Sequence, residues 1–508
     1  MNLKFKIAGI VAVAAAGWAL VPGATAQVTA DALLDKLVAK GILKADEAEQ
    51  LKIESTGNSG SGTQFKLASI VKSVEIYGDL RFRYEYRAAK LGPEAGGVYY
   101  DAANRWRYAL RLGARGDLTD DFYYGIRFET SANPRSTWNS FGNAGGGQGT
   151  LYGPFSKANN YSFFIGQAYL GWHPYSWVDL SIGRVPQPLY TTPMVWDSDF
   201  APEGAVEKFK YTYGPVDYFA TFAQYVYQDT TPSSYSAVEG GGTATAVLGP
   251  TPVNDAYLLA WQVGGTYHVD TNLSVKVAPV LYTYVGHGNQ SSGFYGPFVG
   301  EGEGGFNFQP GAATSGVPGG FGVTTSLNQT GINNLFILEI PMQVDFKIGS
   351  LDARAFGDWA VNFEGDDRAR AAYYGGRAIG GFFPGGLQLN QDQAMQFGLA
   401  VGNNVDLLYS AKPKKGTWEA RAYFQHVEQY ALDPNLLDSD FFEGRGNMQG
   451  LYAGFAYSLT DATIATVRYG LAERINRQLG TGGYNADLPL PNPIDRYQIV
   501  QVDLTWKF

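Results

Sequence analysis

The chain has 508 residues, a formal charge of −9 and no Cys, which removes disulfides, thiolate metal sites and cysteine nucleophiles. Its acidic balance argues against a nucleic-acid partner. Charged residues are scarce at 17% and aromatic ones abundant at 15%, so a single closed sheet competes with the about two to four soluble domains that this length would otherwise suggest.

The first residues read as a secretory signal. Lys4 and Lys6 precede an apolar run from Ile7 to Leu20, and Ala24-Thr25-Ala26 offers a small-residue cleavage site. Residues 1–26 are expected to be removed, leaving Gln27 near the mature start. Loss of the two lysines then takes the charge from −9 to −11. No later stretch reaches the roughly eighteen apolar residues of a spanning helix, so a membrane would have to be crossed by strands.

Residues 27–54 read as a periplasmic helical segment. Leu33, Leu34, Leu37 and Val38 recur at helical spacing, Gly41 breaks the run, and Asp46, Glu47, Glu49 and Lys52 mark a second short helix. Such a segment suits a small amphipathic hairpin, a self-association element or a weak peptidoglycan contact. Residues 55–73 form a linker, Gly/Ser-rich from Ser55 to Gly62.

From Val74 to the terminus the period is two. Val74, Ile76, Leu80, Phe82, Tyr84 and Tyr86 alternate with Glu75, Asp79, Arg81, Arg83, Glu85 and Arg87. Trp106, Tyr108, Leu110, Leu112 and Ala114 alternate with Arg105, Arg107, Arg111 and Arg115. The same pattern runs through Tyr257–Tyr267, Phe336–Lys347, Leu351–Asn362 and Leu451–Leu459. In the last strand Val500, Val502, Leu504, Trp506 and Phe508 oppose Gln501, Asp503, Thr505 and Lys507. A closing strand that is apolar outside, charged inside and ends on an aromatic residue is expected of an outer-membrane barrel.

Connections alternate in length. Tight turns fall at Thr119–Asp121, Pro174–Ser176, Gly214-Pro215, Asp270–Asn272, Gly349-Ser350 and Thr460-Asp461, with a slightly longer one at Lys412–Lys415. Between them lie Gly-rich loops over 88–104, 132–160, 186–204, 229–255, 286–333, 365–393, 429–447 and 474–494. The fold expected is all-β: a transmembrane antiparallel barrel of about 16 strands over 74–508, fourteen and eighteen being the neighbouring counts. An even count puts both ends on the short-turn, periplasmic side. Tyr84, Tyr86, Trp106, Trp172, Tyr267, Trp418 and Trp506 are candidates for the interfacial girdles. A barrel this wide is not filled by side chains, and unpaired charges in a dry core are very costly, so an inward charged face implies a watery lumen.

Two features would shape that lumen. Arg81, Arg83, Arg87, Arg105, Arg107, Arg111, Arg115 and Arg127 all point inward on the first three strands. Either they pair with Glu75, Asp79, Glu85, Asp117 and Glu129 and organise the wall, or they line an eyelet with forked, permanently charged groups. The third long loop, with Trp196-Asp197-Ser198-Asp199-Phe200-Ala201-Pro202-Glu203-Gly204, is acidic and restrained by proline. Asp197, Asp199 and Glu203 are expected to face the arginines across a constriction, making a transverse field. A structural anchor and a Ca²⁺ loop are rival readings of the same segment, though its spacing is not that of an EF-hand.

Three stretches together carry a family resemblance: Val74–Arg87, Arg105–Arg115 and Trp196–Gly204, preceded by the Val28–Lys52 segment. The chain resembles the putative-porin family of Gram-negative proteobacteria over nearly all of the expected mature sequence. The resemblance implies a sixteen-strand-type porin, a homotrimer in contact with outer-membrane lipid and lipopolysaccharide, and the cell outer membrane as its location. The helical segment departs from the enteric general porins, so their trimer geometry and solute range do not carry over.

The four histidines, His173, His268, His287 and His426, lack metal-ligand spacing, and no nucleophile elbow or phosphate loop stands out. No cofactor and no enzymatic activity are expected. The leading expectation is passive diffusion of small hydrophilic solutes and ions. An anion or oxyanion facilitator using the arginines as a track, and a non-transport envelope or adhesin barrel, are the alternatives.

Overall fold

The computed structural model describes residues 68–93, 96–131, 136–141, 162–228, 256–286, 334–378, 386–409, 412–433, 436–481 and 494–508. The expected signal, the helical segment, most of the linker and the loop spans 229–255 and 287–333 lie outside these residues. Contacts separate Met1–Ala68 from Ser69–Phe508, and the second unit holds every element below.

The strands are β1 (Glu75–Leu91), β2 (Tyr99–Asp117), β3 (Phe122–Ser131), β4 (Asn139–Ser140), β5 (Ser162–Tyr175), β6 (Val178–Arg184), β7 (Glu203–Tyr213), β8 (Val216–Gln228), β9 (Ala256–His268), β10 (Ser274–Val277), β11 (Val280–Gly286), β12 (Phe336–Ile348), β13 (Leu351–Asn362), β14 (Gln393–Gly402), β15 (Trp418–Val427), β16 (Met448–Ser458), β17 (Thr463–Arg474) and β18 (Ile494–Lys507). They form one antiparallel sheet, and β1 pairs with β18 to close it. β4 is a two-residue clip on β2, and β10 and β11 both lie between β9 and β12 as halves of one strand. The break falls at Ala278-Pro279, because proline has no N–H to give the ladder. The wall is therefore a closed barrel of 16 strands, the expected architecture.

Short connections gather at one end. Asp120 and Asp121 both sit at φ 60°, as a two-residue hairpin demands, and Gly214 and Gly349 take the same left-handed region in their turns. β1 begins and β18 ends at this end, while the other end carries the long loops. β1 and β2 are longer than expected and leave only 92–98 between them. The 365–393 loop contains a helix, α1 (Gly365–Ala378), whose acidic first turn and Ala/Arg run favour that state.

The barrel inverts the soluble pattern. Phe82, Trp106, Leu112, Val502, Leu504 and Trp506 are exposed on the outer face, while Arg83, Glu85, Arg107 and Asp503 are buried on the inner one. Tyr175, Trp177, Tyr211, Tyr213, Tyr218 and Tyr267 cluster on the outer face near the short turns, the place of an interfacial aromatic belt.

Candidate functional site

The site is built on the strands at the barrel seam. Register sets Asp79 opposite Arg111, Glu85 opposite Arg105, and Arg83 opposite both Arg107 on β2 and Asp503 on β18. Opposite charges meet across strands, so most of these arginines hold wall carboxylates. Arg111 and Arg81 reach Asp79 at 2.7 and 3.1 Å, Arg105 reaches Glu85 at 2.8 Å and Arg115 reaches Glu75 at 2.7 Å. Arg83 grips Asp503 with two nitrogens, at 2.7 and 3.0 Å, and Arg468 of β17 pairs with the same carboxylate. Arg87 lies 3.1 Å from Glu85, Arg107 lies 3.6 Å from it, and Arg127 pairs with Glu129.

Two loop segments add to this wall. Trp138, in the second long loop, places its ring under Arg81, Arg83 and Arg107, whose guanidinium carbons are 4.6, 4.2 and 5.7 Å from its centroid. The third loop, L3 (185–202), folds against the inner face of β9, β12 and β13. Tyr190 N donates to Gln262, Tyr190 OH to Gln343 and Thr191 to Glu339, while Thr192 donates to Asp358.

The seventh long loop, L7 (428–447), also enters the lumen. The hydroxyls of Tyr227 on β8 and Tyr284 on β11 donate to Asp433, both at 2.9 Å. Seven residues later Asp440 accepts from Arg83, Arg87 and Gln501 on β1 and β18. β8 and β11 stand about half the circumference from the seam, so Asp433 and Asp440 anchor L7 on opposite sides of the lumen. Trp196 from L3 and Phe441 from L7 join a buried apolar cluster with wall residues Leu258, Ile337, Tyr423 and Tyr452. The barrel is wide, but these two loops occupy part of its bore.

L3 and L7 clasp each other through a repeated motif, Asp-Ser-Asp-Phe, at 197–200 and 438–441. In each copy the first Asp accepts from the backbone of the second, Asp199 N to Asp197 Oδ1 at 2.9 Å and Asp440 N to Asp438 Oδ1 at 3.2 Å. The copies then interlock. Asp197 N donates to the Leu436 carbonyl at 2.6 Å, Asp438 N to the Pro193 carbonyl at 3.3 Å and Ser439 N to Asp197 Oδ2 at 3.1 Å. Desolvation, with Asp197 and Asp440 alongside, pushes the Asp438 carboxyl well above its usual range. Desolvation works the same way on Asp440, but Arg83 and Arg87 outweigh it and hold that carboxyl down at about 2.

The three acids expected opposite the arginines are thus separated. Asp197 is buried and caps backbone amides of both loops. Glu203 opens β7 and pairs with Arg184 on β6 at 2.7 Å. Asp199 lies within electrostatic reach of Arg81 and Arg111. Sequence reasoning missed the L7 acids Asp433, Asp438, Asp440 and Glu443; the signal that would have found them is the second Asp-Ser-Asp-Phe. Among the described histidines, His268 pairs with Asp217, His426 with Gln449 and Glu428, and His173 stacks on Tyr123.

The family comparison agrees with this architecture. The family described as "Putative porin" matches residues 99–298 and 337–508. No curated protein shows a significant match. Similar solved structures include a mutant of Rh. blastica porin (10% identity, TM-score 0.36, covering 86% of this chain and 100% of that one). Pseudomonas putida OprB aligns at 11% identity and TM-score 0.45, covering 86% and 94%. A loop-deletion mutant of OmpT, an outer membrane protein of Vibrio cholerae, aligns at 10% and 0.35, covering 86% and 99%. At these TM-scores nothing about the site is transferred from them. A closed 16-strand barrel, apolar without and charged within, together with a family match over most of its length, places this chain in the putative-porin family as an outer-membrane porin channel.

Proposed function

We propose that the channel passes small hydrophilic solutes and ions by passive diffusion, and that L3, L7 and the seam arginines set its constriction. The observation that carries this reading is the placement of two clasped loops inside a bore lined with paired charge. Arg81 and Arg111 keep some exposed side-chain surface within electrostatic reach of Asp199, which gives the passage a transverse field, and Arg105 and Arg115 line the wall away from that pair. Arg83, Arg107 and Asp197 are buried and set the shape of the constriction, while Glu203 marks its rim. The work is done by geometry and charge, without a cofactor or covalent chemistry.

The same reading extends to the setting. Residues 1–26 are a cleaved signal, 27–54 a periplasmic helical segment, 55–73 a linker and 74–508 the barrel. The short-turn end faces the periplasm, the outer wall meets lipid and lipopolysaccharide, and three copies assemble. A second reading, an anion facilitator, is favoured by one observation: Arg83 and Arg87 already hold a loop carboxylate in the lumen.

Planar-bilayer recordings in a salt gradient test the proposal. The native channel should conduct ohmically with a defined reversal potential, and Arg81→Ala with Arg107→Ala should move that potential toward cations. A conducting double variant with unchanged ion preference would refute the arginine role, and a non-conducting native barrel would refute the channel reading in favour of an envelope or adhesin role.

A further inference from the structure

Asp440 sits where the carboxylate of a solute would sit. Its two oxygens lie 3.1 and 3.2 Å from one nitrogen of Arg83, and Oδ1 lies 3.3 Å from Arg87 and 2.8 Å from the side-chain amide of Gln501. Two guanidiniums and an amide around one carboxylate are a recognition set for planar oxyanions.

Host and guest differ in how firmly they are held. Arg83 is fixed by Asp503, Arg87 by Glu85 and Gln501 by Glu85, all from strands. All three hosts stand on strands and are buried. The guest stands on a loop, and its side chain is 36% exposed against 4% for Arg83. Donors locked on a scaffold need no rearrangement to take an anion, so a site remains when the loop carboxylate leaves.

Charge points the same way: Arg83 and Arg87 both pair with Asp440, so its departure leaves each guanidinium with one anionic partner fewer.

We propose that Arg83, Arg87 and Gln501 form a binding site for small carboxylate-bearing solutes, and that Asp440 occupies it in the resting channel as a built-in competitor. Occupancy by a solute carboxylate and occupancy by Asp440 are then alternatives of one equilibrium. This deepens, and rests on, the channel reading above.

The test is block of single-channel current by succinate, for native protein, Asp440→Asn, and Asp440→Asn combined with Arg87→Lys. Without its competitor the site should be blocked at about tenfold lower succinate in Asp440→Asn than in native protein. Arg87→Lys keeps the charge but loses the fork, and should reverse that gain by a similar factor. Asp440→Ser serves as a second competitor-free variant, and heat-dependent gel mobility checks that each barrel has assembled. Equal block constants in native and competitor-free channels overturn the proposal while leaving the porin reading intact. So does a double variant as sensitive as Asp440→Asn, since a diffuse field would then explain the block. Absence of any conductance in the native protein refutes both.

Discussion

Replacing Asp197 with Ala should open the clasp between L3 and L7 while leaving the barrel wall intact. The carboxylate accepts from Asp199 N at 2.9 Å and from Ser439 N at 3.1 Å, and the residue is only 3% exposed. Hydrogen bonds to a charged acceptor contribute about 1.5–3 kcal/mol each, so the pair is worth about 3–6 kcal/mol. Some of this is offset, because removing Asp197 also removes a negative charge beside Asp438. Allowing about 1–2 kcal/mol for that relief leaves a net loss of about 1–5 kcal/mol. At roughly 1.4 kcal/mol per decade, the Ser439 amide should exchange with solvent about 5- to 4,000-fold faster than in native protein. Hydrogen exchange on the detergent-solubilised barrel, read on peptides spanning 195–200 and 436–442, measures this directly. Strand peptides such as 499–506 should keep their native protection. Unchanged exchange at Ser439 would refute the assignment of Asp197 as the pin between the loops. Equal loss of protection in the strands would refute its confinement to them.

Two further outcomes follow from the same geometry. The Asp438 carboxyl is pushed up by burial beside Asp197 and Asp440, so its contribution to the clasp is complete at low pH and lost as pH rises through its raised value. Asp440, held down at about 2, acts in the opposite sense and loses its contribution only as pH falls through that value. Raising the pH from the ordinary carboxylate range through that raised value should therefore increase channel noise and loop exchange in native protein, and Asp438→Asn should flatten this dependence; a native profile with no such rise counts against it. At the seam, a Cβ added to Gly78 would meet the Arg111 carbonyl at 2.3 Å and the Phe508 ring at 2.6 Å. Gly78→Ala should destabilise closure by about 1–3 kcal/mol, seen as a lower midpoint for heat-dependent gel mobility, and an unchanged midpoint would show that Phe508 is not held there.

The wall was legible because its physics is local. Alternation of Leu80, Phe82 and Tyr84 with Arg81, Arg83 and Glu85 fixes which side of the strand meets lipid, and turn signals such as Asp120-Asp121 fix where it reverses. The lumen was less legible because its contacts are not local. Nothing near Asp440 in sequence says that Arg83 and Arg87, more than three hundred and fifty positions away, will hold it. Most of the arginines on the first strands pair with wall acids, a choice that depends on register between strands and not on the local sequence. α1 was missed because glycines flank its Ala/Arg run, and propensity is a weak guide where Gly365, Gly375 and Gly376 interrupt. The break at Pro279 is visible as a proline, but its harmless place inside one strand is set by partners on both sides.

The seam between β1 and β18 has a consequence for how the molecule comes to exist. Arg83 and Asp503 are 420 residues apart, so the join cannot nucleate early. Until it forms, both terminal strands present unsatisfied edges and a greasy flank to any neighbour, which makes the half-built sheet an aggregation hazard. Biogenesis of this chain must therefore keep two ribbons apart, escorted, until their partner arrives.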